Sequence, residues 1–235
     1  FRRKQNEGNV VSNIFREIGD AVRDMPTTMK QLAVVQFFTW FALPFMWQYY
    51  GLTVARHVFG AADDASPLFR QGTEWGGVCF AVYNFVCFLV AFGIPPLANA
   101  IGRKGVHIVG LTLGGLGLLS TYFAANPYFL WLGMAGVGIA WASILSMPYV
   151  ILAGAIRPER MGVYMGVFNL FIVIPQIAQS LIAPQIYKSV LGDNPLNAVL
   201  LGGISLLIAA ASVLLVRDVG ANRIGESEFA GGAGH

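Results

Sequence analysis

Neutral amide side chains recur along one side of a strongly apolar stretch, from Met161 to Pro184, where they could hydrogen-bond an uncharged solute. The stretch contains no Asp, Glu, Lys or Arg, and as a helix it could cross the ~30 Å core of a bilayer. At ~100° per residue, one stripe of this helix comprises Asn169, Ile172, Gln176, Gln179 and Ser180. Amides are costly in lipid, so the stripe is predicted to face other helices or a watery cavity. Pro175 interrupts the backbone beside Gln176, which is typical of a transport helix.

Amides, hydroxyls and indole rings also share a face of the segment between Gln36 and Tyr50. This second stripe comprises Gln36, Thr39, Trp40, Leu43, Trp47 and Tyr50. Such a combination suits a sugar, because an aromatic ring stacks on the C–H face of the sugar while amides and hydroxyls bond its hydroxyl groups. Helix packing, with an interfacial aromatic belt at Trp47, Tyr49 and Tyr50, is the alternative interpretation.

Two further segments supply candidate ligands. Asn84 is the main deep polar residue of its segment and could be a ligand or an interhelical hydrogen-bond donor. Ser143, Ser146 and Tyr149 lie on one side of their helix beside Pro148, although serines in helices also bond their own backbone. Trp141 is ~80° around the helix from Tyr149, close enough to share a cavity. The predicted substrate-binding residues are therefore Gln36, Thr39, Trp40, Asn84, Trp141, Ser146, Tyr149, Asn169 and Gln176.

The composition indicates an integral membrane protein. Apolar residues make up 56% of the chain and charged residues only 11%, whereas soluble domains carry about 25% charged residues. Long uncharged runs predict an all-α bundle of six transmembrane helices within residues 29–217. The predicted helices are about 29–54, 75–100, 106–123, 128–156, 161–186 and 196–216.

Positive charges are predicted to cluster at one end of this bundle. Of the 15 Lys and Arg residues, twelve lie at the end that holds both termini, before or at the start of the first helix and after the second, fourth or sixth helix. Only Arg56, Arg70 and Lys188 lie at the other end. This asymmetry predicts that both ends of the chain are cytoplasmic, in a plasma or bacterial inner membrane. The net charge of +3 is therefore a topology signal. No nucleic-acid partner is predicted, because aromatic and basic residues do not interleave on one surface.

The segments that flank the bundle are polar. Residues 1–28 carry apolar positions at helical spacing, at Val11, Ile14, Phe15, Ile18, Val22 and Met25. They predict an amphipathic helix along the cytoplasmic face, or else a partner-binding helix. Residues 218–235 are Gly-rich and predicted to be disordered. Cys79 and Cys87, ~12 Å apart along one helix, cannot bridge each other, and no catalytic residue, metal ligand or cofactor is predicted.

Prolines interrupt matching helices of the two predicted triplets, helices 1–3 and 4–6. Pro44 and Pro148 lie in the first helix of each triplet, and Pro95 and Pro175 in the second. Triplets of helices necessarily insert with opposite orientations, as in 3+3 inverted repeats. Helices 1, 2, 4 and 5 are therefore expected to line a cavity, with helices 3 and 6 at the periphery.

Two sequence phrases carry a family resemblance. The first is MGVYMGVFNLFIVIPQ (residues 161–176) with the preceding SMPYVILAGAIRPER. It resembles the end of the tenth helix, the following loop and the eleventh helix of sucrose-type, proton-coupled sugar transporters. These transporters belong to the major facilitator superfamily, near its glycoside–pentoside–hexuronide branch. QFFTWFALPFMW (residues 36–47) resembles their seventh helix. The resemblance implies that the chain is the carboxyl-terminal six-helix half of a twelve-helix transporter. Its partner would be the missing amino-terminal half.

A third phrase, Pro95 to Lys104, is similar to the superfamily's cytoplasmic loop motif G-x-L-A-D-R-x-G-R-K. Leu97, Ala98, Gly102, Arg103 and Lys104 match it, whereas Asn99 replaces the acid that pairs charges in the gate. A tight, positively charged turn is the simpler interpretation. The resemblance implies a gating role for Gly102, Arg103, Lys104, Arg157 and Arg160.

These features predict that the chain is not an enzyme and moves a neutral sugar, a disaccharide such as sucrose or maltose, by alternating access. The resemblance implies proton symport, with the coupling acid in the missing half. A facilitator fits the residues equally well, since no Asp, Glu, Lys or Arg lies within the predicted helices near the site. The alternative is a six-helix protein that homodimerises into a small-solute facilitator or channel. A purely structural subunit would leave both polar stripes unexplained.

Overall fold

The computed structural model describes residues 19–20 and 22–220, and within them all regular secondary structure is helical. The first four apolar positions of the predicted amphipathic helix, Val11 to Ile18, lie outside the described residues, as do residues 221–235 of the predicted tail. The helices are α1 (Thr27–Thr53), α2 (67–101) and α3 (103–120), which together form Pro67–Ser120, α4 (Phe129–Ala155), α5 (Met161–Ser189) and α6 (Pro195–Val213).

Local sequence explains where several of these helices begin and end. Helix α2 begins at Pro67 behind Ser66, whose hydroxyl accepts a hydrogen bond from the Phe69 N–H. Helix α6 begins in the same way, with Asn194 accepting from Leu196 N–H and Pro195 in the first turn. Gly102 separates α2 from α3, because its φ of 77° is not helical and interrupts the helix. Glycine suits this position, since other residues rarely adopt a positive φ.

The chain reverses direction at Gly102, as contacts with α4 demonstrate. In α3, Gly110 packs on Ser143 and Gly117 packs on Gly133, so α3 runs antiparallel to α4. In α2, Tyr83 lies against Gly138, whereas Ile94 clusters with Ala142 and Met147, so α2 runs parallel to α4. Helix α4 is therefore held between the two arms of a helical hairpin.

Helix α1 packs mainly on α5 and α6. Ser205 of α6 donates a hydrogen bond of 2.8 Å to the carbonyl of Phe38, and Gly202 lies against the Ala42 carbonyl. Phe45 is fully buried in a cluster with Ala183 of α5 and Ala198 of α6. These contacts hold α1 against α5 and α6, and α6 also packs directly on α3, where Gly203 lies against the Gly115 carbonyl.

Four helical stretches among the described residues are long and apolar enough to cross a membrane. They are Pro67–Phe123, which contains both α2 and α3, and Phe129–Ala155, Pro158–Ser189 and Pro195–Val213. The amides, indoles and phenols of α1 make it less apolar than these. Large apolar side chains cover the outer faces of α2 and α5, including Phe85, Phe88, Phe92, Ile177 and Leu181, as a lipid-embedded protein requires.

The predicted cytoplasmic end of the bundle is tied together by polar contacts. Thr28 Oγ1 donates to the carbonyl of Arg217, and the Arg217 N–H donates to Gln31 Oε1. Tyr164 Oη lies 3.3 Å from the Asp24 carbonyl, to which it donates. The start of α1, the turn before α5 and the segment after α6 therefore meet at one end, as alternating helix directions require.

The opposite end carries a second set of contacts. Arg56, in the π-helical turn Val54–Val58, donates to Asp64 at 3.0 Å, and this hydrogen bond raises the pKa of the guanidinium. His57 Nε2 lies 3.1 Å from the carbonyl oxygen of Tyr122. Trp75 Nε1 donates to the carbonyl of Pro127. The loops before α2 and after α3 therefore meet at this end.

Candidate functional site

Three aromatic rings from α1 and α2 surround the indole ring of Trp141 on α4. The centroid of its ring lies 5.9 Å from Trp40, 5.7 Å from Trp47 and 6.5 Å from Tyr83, all in edge-to-face geometry. At ~1.5 Å per residue, Trp40 lies ~20 Å from Thr27 and Trp141 ~21 Å from Ala155, which are helix ends on the same side. The aromatic cluster of Trp40, Trp47, Tyr83 and Trp141 therefore lies near the middle of the bundle.

Unpaired polar atoms adjoin this aromatic cluster. Gln36 is fully buried, one turn before Trp40, and both its Oε1 and its Nε2 lack a hydrogen-bond partner among the described residues. The Nε1 of Trp40, which is 8% exposed, is also buried without a partner. Thr39 differs, because its hydroxyl donates to the carbonyl of Val35 in its own helix. Gln36 and Trp40 thus hold hydrogen-bonding capacity that no other residue in the described part of the chain uses.

A second polar pair joins α4 to α5 closer to the Arg103 end. The Tyr149 hydroxyl donates to Asn169 Oδ1 across 3.4 Å, and the Tyr149 ring packs edge-on against Phe168. Asn169 is exposed and Gln176, farther along α5, is half-buried. The structure therefore brings Tyr149 and Asn169 together, one layer away from the aromatic cluster.

Two further predicted ligands, like Thr39, hydrogen-bond to carbonyl groups of their own helices. Asn84 Nδ2 donates to the carbonyl of Phe80 at 2.8 Å, and Ser146 Oγ donates to the carbonyl of Ala142 at 2.7 Å. Such back-bonding competes with ligand binding for the donor hydrogens, although the acceptor atoms of both side chains remain available. Asn84 is also exposed, and it adjoins the cluster only through its neighbour Tyr83.

A cavity of ≈510 Å³ lies between α2 and α4, on the Arg103 side of the aromatic cluster. Cys87 of α2, one turn beyond Tyr83, and Ser146 of α4 line its wall. Asn99 and Arg103 line the cavity where α2 meets α3. Its walls are otherwise apolar, and its size falls in the range of small-molecule sites.

The predicted gating residues lie at this end of the bundle. Arg103 Nη1 lies 3.7 Å from Asp218 Oδ1, and Lys104 Nζ donates to the carbonyl of Leu214. Arg160 lies 3.9 Å from an oxygen of Asp24, whereas Arg157 is exposed. Asp218, beyond α6, thus supplies an acid for Arg103 where Asn99 departs from the loop motif.

Some functional candidates were not among the predicted substrate-binding residues. Tyr83 belongs to the aromatic cluster although no spacing signal singles it out, and Trp47 lies in the cluster in addition to its position in the aromatic stripe. Gln179 is fully buried with both amide atoms unpaired. His107 is also fully buried, with Nδ1 at 2.7 Å from Ser143 Oγ between α3 and α4.

Comparison with known proteins gives two kinds of relative. Sucrose transport protein SUT3 of Oryza sativa subsp. japonica is 22% identical over 257 residues, covering 92% of this chain and 48% of that protein. The general alpha-glucoside permease of Schizosaccharomyces pombe is 32% identical over 126 residues, covering 45% of this chain and 23% of the permease. No protein-family profile matches the sequence.

The chain thus spans about half the length of the rice protein and less of the permease. Both relatives are transport proteins and not enzymes, in agreement with the prediction from the sequence. The apolar helices agree with this similarity. The chain is an α-helical integral membrane protein with weak similarity to sugar transporters.

Proposed function

We propose that this chain is the carboxyl-terminal half of a carrier that moves a neutral sugar across a membrane by alternating access. The observation that carries the proposal is the aromatic cluster at Trp141 with the unpaired atoms of Gln36 and Trp40 beside it. Indole rings supply stacking surfaces, and amide and indole N–H groups supply hydrogen bonds. None of these groups carries a charge, so an uncharged sugar is bound without burying an ion.

The sugar is proposed to be a disaccharide or other glycoside, such as sucrose or maltose. The names of the rice and yeast relatives support this class. Several rings around Trp141, with Tyr149 and Asn169 in the next layer, offer contacts to more than one sugar unit. Gln36, Thr39, Asn84, Ser146 and Gln176 complete the proposed set of ligands.

The proposed architecture is six transmembrane spans in 3+3 inverted repeats, one half of a major facilitator fold near its glycoside–pentoside–hexuronide branch. The reversal of the chain at Gly102 supports counting α2 and α3 as separate spans. An amino-terminal half of six helices is the proposed partner, which the coverage of the rice transporter supports. The Arg103 end is proposed to face the cytoplasm, in the plasma or bacterial inner membrane.

Movement of the sugar is proposed to follow from rocking of the two halves about the central cluster. The cavity beside Cys87 would be the part of the route that opens toward the Arg103 end, with Gly102, Arg103, Lys104, Arg157 and Arg160 around its exit. Proton symport is part of the proposal, with the coupling acid in the partner half. Residues 31–55, 75–102 and 128–156, which carry the aromatic cluster, contain no Asp, Glu, Lys or Arg, which fits a coupling group elsewhere.

Uptake of labelled sucrose and maltose by vesicles that carry the full-length protein tests this function. Trp141→Ala should reduce uptake at least tenfold, because it removes the ring that the other three contact, whereas Trp141→Phe should retain most of it. Trp131→Ala is the matched control: Trp131 lies on the same helix, stacks on Trp75 outside the cluster, and should matter little. Imposing a pH gradient separates symport, which it accelerates, from facilitated diffusion.

Wild-type protein that takes up neither sugar, or a Trp141→Ala variant with normal uptake, would refute the proposed site. Surface expression of each variant is measured in parallel, so that a folding defect is not mistaken for a lost contact. An unchanged rate across all pH gradients would remove proton coupling and leave a facilitator.

A further inference from the structure

Gln179 is the most completely buried amide on α5, and none of the described residues gives it a hydrogen-bond partner. Its side chain is 0% exposed, and neither Oε1 nor Nε2 makes a hydrogen bond within the described part of the chain. Helix α5 packs mainly on α1, and Ala183, one turn beyond Gln179, clusters with Phe45 of α1. The amide is therefore enclosed where two transmembrane helices meet.

An unpaired amide in such a place destabilises the conformation that encloses it. Replacing an unpaired buried polar group with an apolar group of the same shape is neutral or stabilising for that conformation. Natural sequences break this packing rule mainly at functional sites, where the group finds its partner in another state or on a ligand. Gln179 therefore holds hydrogen-bonding capacity that the described residues do not use in this conformation.

The position of Gln179 on α5 indicates where that partner comes from. Gln179 lies at one edge of the polar stripe, ~60° around the helix from half-buried Gln176, so a modest rotation of α5 turns it toward the face that carries Gln176 and exposed Asn169. At ~1.5 Å per residue it lies ~27 Å from Met161, about one turn farther from the Arg103 end than Trp141 is. Pro175, one turn earlier, removes a backbone hydrogen bond, as Pro44 does in the facing helix, so both helices can bend there.

We propose that Gln179 binds a hydroxyl group of the transported sugar when α1 and α5 separate on the side away from Arg103. This inference rests on the proposed function and adds a ligand to it from the α1–α5 contact. Gln179 alternates between the enclosed position seen here and one in which its edge of the polar stripe is open to the sugar. The amide accepts a hydrogen bond from one sugar hydroxyl or donates a hydrogen bond to its oxygen, and no covalent bond is made or broken.

The test compares Gln179→Leu with wild type in the full-length protein, using the sugar that wild type carries and its single-deoxy analogues. Gln179→Leu should raise the KM for uptake about three- to tenfold with little change in the maximal rate, which corresponds to one lost hydrogen bond. Removal of one particular hydroxyl should weaken uptake by wild type and have no further effect in the variant. Gln185→Leu, on the same helix but exposed, is the matched control.

Thermal unfolding of the purified protein provides the second readout. Gln179→Leu should unfold at an equal or higher temperature, because the enclosed conformation loses an unpaired amide. If this variant does not fold, Gln179→Met, which has nearly the same shape, replaces it in both measurements. A normal KM, or an equal loss for every deoxy analogue, would overturn the inference. If Trp141→Ala still abolishes uptake in that case, the proposed function stands and only the role of Gln179 fails.

Discussion

Replacing Asp218 with Asn should loosen the Arg103 end of the bundle and expose Cys87. Arg103 lines the cavity that also contains Cys87, and its guanidinium packs against Gly154 and Gly220 as well as beside Asp218. Asparagine keeps the shape of Asp218 but removes its charge. Arg103 would then be free to swing away from the cavity.

The magnitude follows from the burial and geometry of the ion pair. The Arg103 and Asp218 side chains are 21% and 8% exposed, and the charged atoms are 3.7 Å apart. Breaking a buried pair costs ~3–5 kcal/mol and an exposed pair contributes at most ~1 kcal/mol. This pair is mostly buried but longer than a direct hydrogen bond, so we expect ~1–2 kcal/mol. That corresponds to a ~5–30-fold shift in the equilibrium between closed and open cavity.

The two native cysteines provide the assay. Inside-out vesicles with the full-length protein are treated with a small polar maleimide, and mass spectrometry follows Cys79 and Cys87 separately. Labelling of half-buried Cys87 should accelerate ~5–30-fold in Asp218→Asn, whereas fully buried Cys79 should stay unlabelled in both proteins. Equal labelling rates of Cys87 in wild type and variant would refute the reasoning.

Asp24→Asn is the matched control for this experiment. It also removes one negative charge at the same end, but the Asp24–Arg160 pair is 3.9 Å long, with side chains that are 61% and 48% exposed. The variant should change the Cys87 labelling rate less than about twofold. An equally large effect of Asp24→Asn would mean that net charge, and not the position of Arg103, controls access. The exchange of Arg103→Asp with Asp218→Arg should restore part of the wild-type protection.

Two further predictions concern stability. Gly138→Ala should lower the free energy of unfolding by ~1–3 kcal/mol, because the added Cβ would lie 2.5 Å from the Tyr83 carbonyl oxygen. Gly166→Ala is the control, since open space surrounds Gly166, and it should be neutral or stabilising. Thermal unfolding in detergent compares the two variants. Ser205→Ala should lower the free energy of unfolding by ~0.5–1.5 kcal/mol, because it removes the hydrogen bond from α6 to the Phe38 carbonyl of α1. Ser212→Ala loses only a hydrogen bond within α6 and should lower it less. Equal effects of the two variants would contradict this reasoning.

The sequence predicted the faces of the helices better than it predicted their neighbours. Helical periodicity placed Gln36 and Trp40 on one stripe of α1, and Trp141 on α4, and the structure brings Trp40 and Trp141 into contact. Periodicity within one segment contains no information about which other helix that face meets. Tyr83 therefore could not be assigned to the cluster without knowing that α2 packs beside α4.

Side-chain partners were the least predictable feature. Thr39, Asn84 and Ser146 have the right residue types for binding a sugar, yet each donates to a carbonyl of its own helix. That competition depends on the side-chain rotamer and on the space next to the helix, which the residue types alone do not specify. The sequence also did not identify Asp218 as the acid beside Arg103, because the two residues lie more than a hundred positions apart in the chain.

The packing of α1 has a consequence for the order in which the molecule is made. Synthesis proceeds from the amino terminus, so α1 leaves the ribosome before α5 and α6, the two helices that cover most of it. The hairpin of α2 and α3 can close on α4 as soon as α4 has been made, through contacts that are near in sequence. Phe45 must wait for its surroundings until the last described helix is inserted, so the first of the described helices to be made is among the last to be enclosed.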